Sequence, residues 1–170
     1  MSRYRPPAEK SAPYITREGW QTLQAELQML WHEERPKVTQ IVHEAAKNGD
    51  RSENGDYIYG KRRLREIDRR VGYLSRRLDV LKIVEQVPDN PNKIYFGAYV
   101  TLEKEADGST ITYRIVGPDE FDLKENKISL DAPLAKAMLG KTLDDEIKLS
   151  LADKVDIYYV VAIHYDSPPN

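Results

Sequence analysis

Cysteine is missing from all 170 residues. That excludes disulfides, thiolate metal sites and cysteine nucleophiles together. Long apolar runs are missing too, since none approaches the roughly 20 residues that a membrane span needs. Residues 1–11 are polar and proline-bearing, with no apolar core of a secretion signal. The chain has no G-x-G-x-x-G, P-loop or G-x-S-x-G motif. His43-Glu44-Ala45-Ala46-Lys47 comes close to the zinc motif H-E-x-x-H, but lysine stands where the second histidine must be. His32 and His164 read as incidental. Nothing here resembles a self-sufficient active site, so the chain is not expected to be an enzyme on its own. A soluble protein of a reducing compartment is expected, the cytoplasm by default, with no membrane partner.

Charge is what the chain has in quantity: 32% of its residues are charged, yet the net charge is only −2. The balance hides an asymmetry. From Lys61 to Lys82 there are nine Lys/Arg against three acids, a local +6; from Asp89 onward there are nine against fifteen, a local −6. A basic middle and an acidic end imply a division of labour, with the basic part facing a polyanion.

Hydrophobic spacing divides the chain. Residues 1–13 read as a flexible extension. From Thr16, a plausible N-cap, Trp20, Leu23, Leu27, Leu30 and Trp31 recur at threes and fours, and Val38, Ile41, Val42 and Ala45 resume the stripe. Pro36 sits inside this run and predicts a kink over 32–36, because it removes one donor and crowds the carbonyl four residues earlier. Asn48-Gly49 supplies a stop. Leu64, Ile67, Val71, Leu74, Leu78 and Leu81 then form an uninterrupted coiled-coil seam. The short connection makes an antiparallel hairpin over 14–87, on the order of 45 Å long at about 1.5 Å per residue. Residues 88–92 read as a linker. Over 93–166 the period changes to two, with strands around Ile94–Leu102, Ile111–Val116, Ile128–Leu130, Ile147–Leu151 and Val155–Ile163. Asp131 is read as capping a short helix that opens with Pro133 and closes at Gly140. The expected class is α+β: a long helical hairpin, then a compact antiparallel β domain with one short helix, then a tail at 167–170.

Two constellations carry chemistry. The hairpin tip places Asp50, Glu53 and Asp56 three residues apart. All-oxygen donors suit Mg²⁺, which keeps several waters and takes one or two protein carboxylates. On a projecting tip they could complete a metal's coordination in a partner's active site and orient a water there. The same spacing is also an Asp-x-x-Glu capping box that would start the second helix, and both readings stay open. Along that helix Arg62, Arg65, Arg69 and Arg76 share one face, while Arg63, Arg70 and Arg77 lie nearer the seam. Such a stripe can track a phosphate backbone. The plainer alternative is a solvated flank with ion pairs to the facing helix.

Taken together these segments resemble the bacterial Gre transcript-cleavage factors, the GreB type in particular. The resemblance runs from Tyr14 to Tyr165. It is carried by Thr16-Arg17-Glu18-Gly19, Glu33-Glu34-Arg35-Pro36, Gly49-Asp50-Arg51-Ser52-Glu53-Asn54 with Asp56-Tyr57, and the block Lys61 to Val71. Further on it is carried by Phe96-Gly97-Ala98, Arg114 to Gly117, Asp119-Glu120, and Ile128-Ser129 followed by Asp131 and Pro133. The resemblance implies a coiled-coil arm and an FKBP-like C-terminal domain. It implies that the arm enters the secondary channel of RNA polymerase and stimulates cleavage of the transcript in backtracked complexes. Asp50 and Glu53 match the essential tip acids, sharing a Mg²⁺ held jointly with the polymerase. Ser52, Asn54, Asp56 and Tyr57 fall in the supporting motif. Arg62, Arg63, Arg65, Arg69, Arg70 and Arg76 fall in the face implicated in contacting the nascent RNA 3′ end. Asp131 and Pro133 fall in the stretch implicated in docking on the channel rim.

The sequence departs from the family pattern at Gly55, where alanine is usual, and at Ala132, where serine is expected beside Asp131. Glycine loosens the helix start by about 1 kcal/mol. An alternative from another class is a channel-binding regulator that modulates or inhibits the polymerase without promoting cleavage. A prolyl isomerase, suggested by the FKBP-like fold alone, has only analogy behind it. A monomer is expected, with self-association possible through Trp20, Trp31 and the tyrosines.

Overall fold

The computed structural model describes residues 10–49, 51 and 53–166. The chain divides into two compact units. One is Trp20–Leu81; the other joins the described residues through Gly19 to those from Lys82 onward. The hairpin proper is therefore shorter than the stretch 14–87 that the hydrophobic pattern marks out. No helix among the described residues is long and apolar enough to cross a membrane.

In the helical unit, α1 (Arg17–Met29) runs through a π-helical turn (Leu30–Glu34) into α2 (Arg35–Ala45), and α3 (Gly55–Val80) returns. The kink expected at Pro36 takes the form of this π turn. Backbone angles stay right-handed helical at Met29 and Arg35, and the Arg35 N–H reaches back to the Leu30 carbonyl. A ladder lengthened by one residue accommodates proline's missing donor and crowding ring. The inserted residue also shifts the phase of the apolar stripe. Leu23, Leu30, Val42 and Ala45 are buried against Gly60, Ile67 and Leu74, while Trp31 and Ile41, both read as part of the stripe, are exposed. The Arg35 guanidinium lies 5.3 Å from the centre of the outward Trp31 ring.

In the other unit five strands are ordered β5-β4-β3-β7-β6: β3 (Tyr99–Lys104), β4 (Thr110–Val116), β5 (Lys127–Ser129), β6 (Glu146–Leu151) and β7 (Lys154–His164). The sheet is mixed rather than wholly antiparallel, because β4 and β5 run parallel, Ile115 beside Ile128. The first strand is also shorter than its alternation predicts, since residues 94–98 lie outside any strand, with a turn at Phe96-Gly97 leading into β3. Helix α4 (Pro133–Met138) covers one face, burying Ala135 and Met138 with Val100, Leu102, Ile115, Ile147 and Val160. Its N-cap is Ala132, which has no side-chain oxygen, and not Asp131.

A second, two-stranded sheet stands where the hairpin leaves and rejoins this unit. Here β1 (Tyr14–Ile15) pairs in parallel with β2 (Lys82–Ile83), Ile15 fully buried. Thr16 caps α1 as its sequence position predicts, accepting the Gly19 N–H at 3.1 Å. Its own N–H donates to Glu120 Oε2 at 3.0 Å, its hydroxyl donates to Oε1, and the Gly117 N–H reaches Oε2 at 2.8 Å. Glu120 thus gathers three donors beneath the first turn of α1. A Cβ on Gly19 would run into that carboxylate, so a larger residue there would have to displace Glu120 from its donors.

Candidate functional site

The tip is the turn between α2 and α3. Helix α2 ends at Ala45 with Ala46 as its C-cap, and Gly49 follows at φ +108°, a conformation that favours glycine. Asp50 and Ser52, both named from the sequence, lie outside the described residues. Helix α3 begins at Gly55, and its N-cap is Asn54, whose Oδ1 accepts the Tyr57 N–H at 3.2 Å. This overturns the capping-box reading, in which Asp50 and Glu53 start the helix. The box requires its acid at the third helical position, and that position is Tyr57.

Glu53 therefore has no part in capping. It is exposed, and among the described residues no hydrogen bond or ion pair engages it. Asp56, also exposed, sits in the first turn of α3, where a negative charge complements the helix dipole. Tyr57 is half-buried, and the Arg51 guanidinium lies 5.7 Å from its ring centre. Asn54 Nδ2 donates to the Ala45 carbonyl at 2.8 Å, joining the two helix ends. The resemblance marks Asn54 only as tip support. Its preference for N-cap positions was the available signal. Arg51 carries no such signal, because a cation–π contact has no fixed sequence spacing.

Behind the tip the two arginine sets separate. Arg63 Nε donates to Glu34 at 2.5 Å and its Nη1 to Glu66 at 3.2 Å. Arg70 forms a forked pair with Glu26, at 2.7 and 2.9 Å. From the other side Arg35 reaches Asp68 at 2.7 Å. The hydrogen bond from Arg63 holds the Glu34 carboxyl below the usual glutamate range, and Arg35 does the same for Asp68. Arg63 and Arg70 thus pair across the hairpin, as the ion-pair alternative anticipates. Arg62, Arg65, Arg69 and Arg76 are all exposed and fall within about 60° of arc on α3, opposite Gly60, Ile67 and Leu74. Exposed Tyr59 borders this face close to the tip.

The residues named for docking differ in freedom. Pro133 is exposed at the first position of α4. Asp131 is half-buried, and its Oδ2 accepts the Ala12 N–H at 3.0 Å.

Such an arrangement defines a class of protein that carries acidic groups outward on a helical turn rather than enclosing them in a pocket. Among the described residues no three His, Cys, Asp or Glu side chains converge to hold a metal ion. Comparison with known proteins names the family within that class. The model described as "Transcription elongation factor, N-terminal" matches residues 13–83, and that described as "Transcription elongation factor, GreA/GreB, C-term" matches 88–165. Transcription elongation factor GreB of Pseudomonas aeruginosa is 56% identical over 169 residues, covering 99% of this chain and 100% of that protein. GreB of Pasteurella multocida is 57% identical over 153 residues, covering 90% and 96%. Among solved structures, Thermus aquaticus Gfh1 is 27% identical and covers 91% of this chain and 99% of its own, with a TM-score of 0.41. The chain belongs to the GreA/GreB family of transcription elongation factors, and its relatives place it with the GreB type.

Proposed function

We propose that this elongation factor acts on RNA polymerase by inserting its hairpin tip through the secondary channel and stimulating the polymerase's own cleavage of the transcript in backtracked complexes. The observation that carries this reading is Glu53: a carboxylate on the exposed inter-helix turn, released from capping by Asn54 and engaged by no other described residue. Asp50 and Glu53 supply hard oxygen donors of the kind Mg²⁺ takes, and together with polymerase carboxylates they would hold one such ion. When bound, the ion polarises a phosphoryl oxygen and lowers the pKa of a coordinated water. Glu53 would orient that water, and the exposed arginines of α3 would steady the extruded RNA 3′ end through its phosphates. Docking on the channel rim is assigned to the α4 edge around Asp131 and Pro133.

Transcript cleavage in a purified, stalled complex tests this directly. Adding the protein with Mg²⁺ should produce short 3′ fragments, and Asp50→Ala and Glu53→Ala should each lower the stimulated rate by about 10²-fold or more, the scale lost with a single transition-state contact. Inhibition of elongation with no cleaved transcript would replace this account with that of a channel-binding regulator.

A further inference from the structure

Among the described residues of the turn between α2 and α3, one side chain bonds in two directions. Asn54 Oδ1 accepts the Tyr57 N–H in the first turn of α3, and Nδ2 donates to the carbonyl of Ala45, the last residue of α2. That carbonyl also accepts the Asn48 N–H at 3.1 Å, so both its lone pairs are used. A half-buried carboxamide thereby bridges the two helix ends across nine residues of sequence, and Glu53 is the residue directly before it.

Capping alone does not require asparagine. Serine and aspartate cap helices about as well. What they lack is an amide donor with this reach: aspartate offers only acceptors, and the serine hydroxyl lies closer to the backbone. Gly55, on the other side of Asn54, adds backbone freedom at the very place where the chain turns. A bond to α2 matters more there than it would beside alanine. We infer that Asn54 is a positioning residue for cleavage stimulation: its bond to Ala45 fixes the backbone of Glu53 against α2, and so fixes where the Glu53 carboxylate meets the shared cation. The inference rests on the proposed function. Misplacing a reacting group by about 1 Å can cost on the order of 10²-fold in rate, so a tether of this kind has the leverage required.

The test uses the full chain with Asn54→Ser and Asn54→Asp, which keep the cap and lose the tether, and Asn54→Ala, which loses both. Because the chain has no cysteine, a nitroxide on Glu53→Cys labels a single site. Electron paramagnetic resonance of the free protein should show that label more mobile with Asn54→Ser or Asn54→Asp than in the parent. The melting temperature should stay close to the parent for these two and fall for Asn54→Ala. In backtracked complexes, at occupancy matched by competition with the parent protein, both cap-retaining variants should lower the stimulated rate at least tenfold. They should also raise the Mg²⁺ concentration for half-maximal stimulation several-fold, a shift that simple loss of fold would not produce. Unchanged label mobility together with a rate within twofold of the parent overturns the inference. Should the parent itself fail to stimulate cleavage, the proposed function falls. Label mobility still decides the tether: equal mobility in parent and Asn54→Ser removes it.

Discussion

At Gly60 the helices of the hairpin come so near that a methyl group has no room, because a Cβ there would run into Val42 Cγ2. Glycine inside a helix costs about 1 kcal/mol relative to alanine. Overpacking a well-filled site costs typically about 1–3 kcal/mol. The second effect should win, so Gly60→Ala is expected to destabilise the protein by about 1 kcal/mol, read by urea unfolding. Trimming the obstacle should reverse the sign: in a Val42→Ala background the same change should be neutral or stabilising. A stabilising Gly60→Ala with Val42 intact would show that the close approach is not there. Nothing in the sequence marks Gly60 as a contact, since it falls on the seam where pattern reading looks for large apolar residues. Asn54 was half legible for the opposite reason: its residue type signals a cap, but its second bond depends on where Ala45 arrives in space.

Helix α3 carries two jobs on two faces, and they answer to different measurements. The clasp formed by Arg63 and Glu34 is half-exposed, which limits it to about 0.2–1 kcal/mol. Its sign with pH follows from the lowered Glu34 carboxyl. The pair stabilises fully above the ordinary glutamate value of 4.5 and is lost as pH falls through the lower folded value. Glu34→Gln should therefore reduce stability at neutral pH, and the difference from the parent should close in acid below pH 4.5. A difference that persists unchanged in strong acid contradicts the assignment.

The exposed face predicts something else. Each of Arg62→Ala, Arg65→Ala and Arg69→Ala should reduce the salt dependence of binding to single-stranded RNA by about 0.7 in log–log slope, the value for one lost phosphate contact. Arg63→Ala should weaken the hairpin and leave that slope in place. Equal slopes for all four variants would return the stripe to an ordinary solvated flank. The spacing already separated these faces at the level of the element. It could not say which arginines meet acids, because the partners Glu34 and Glu26 come from the facing helices and their register depends on the π turn.

For the molecule as a whole, the α+β plan was readable because its two periods, near 3.6 and then 2, change sharply between Leu81 and Lys93. Strands β4, β6 and β7 lie within a residue or so of their alternating stretches. Where reading failed, the missing information was non-local. The β1–β2 pair joins two-residue strands 68 positions apart in sequence, too short to show a period. The parallel pairing of β4 with β5 is decided by how the chain turns between Val116 and Lys127. The π turn buries Val42 in place of Ile41 through a one-residue phase shift that a straight helix pattern cannot carry.

The proposed function draws on the helical unit, whose inter-helix turn carries Glu53. The account depends on that carboxylate reaching a cation in a partner, and an isosteric change tests it most directly. Glu53→Gln preserves size and removes the charge. Transcript cleavage is measured in a purified backtracked polymerase complex with Mg²⁺, with the variant alone and then in excess over the parent protein. The variant is predicted to stimulate at least about 10²-fold less, and in excess to suppress the parent's stimulation by occupying the same site. Cleavage by Glu53→Gln at the parent's rate would contradict the account.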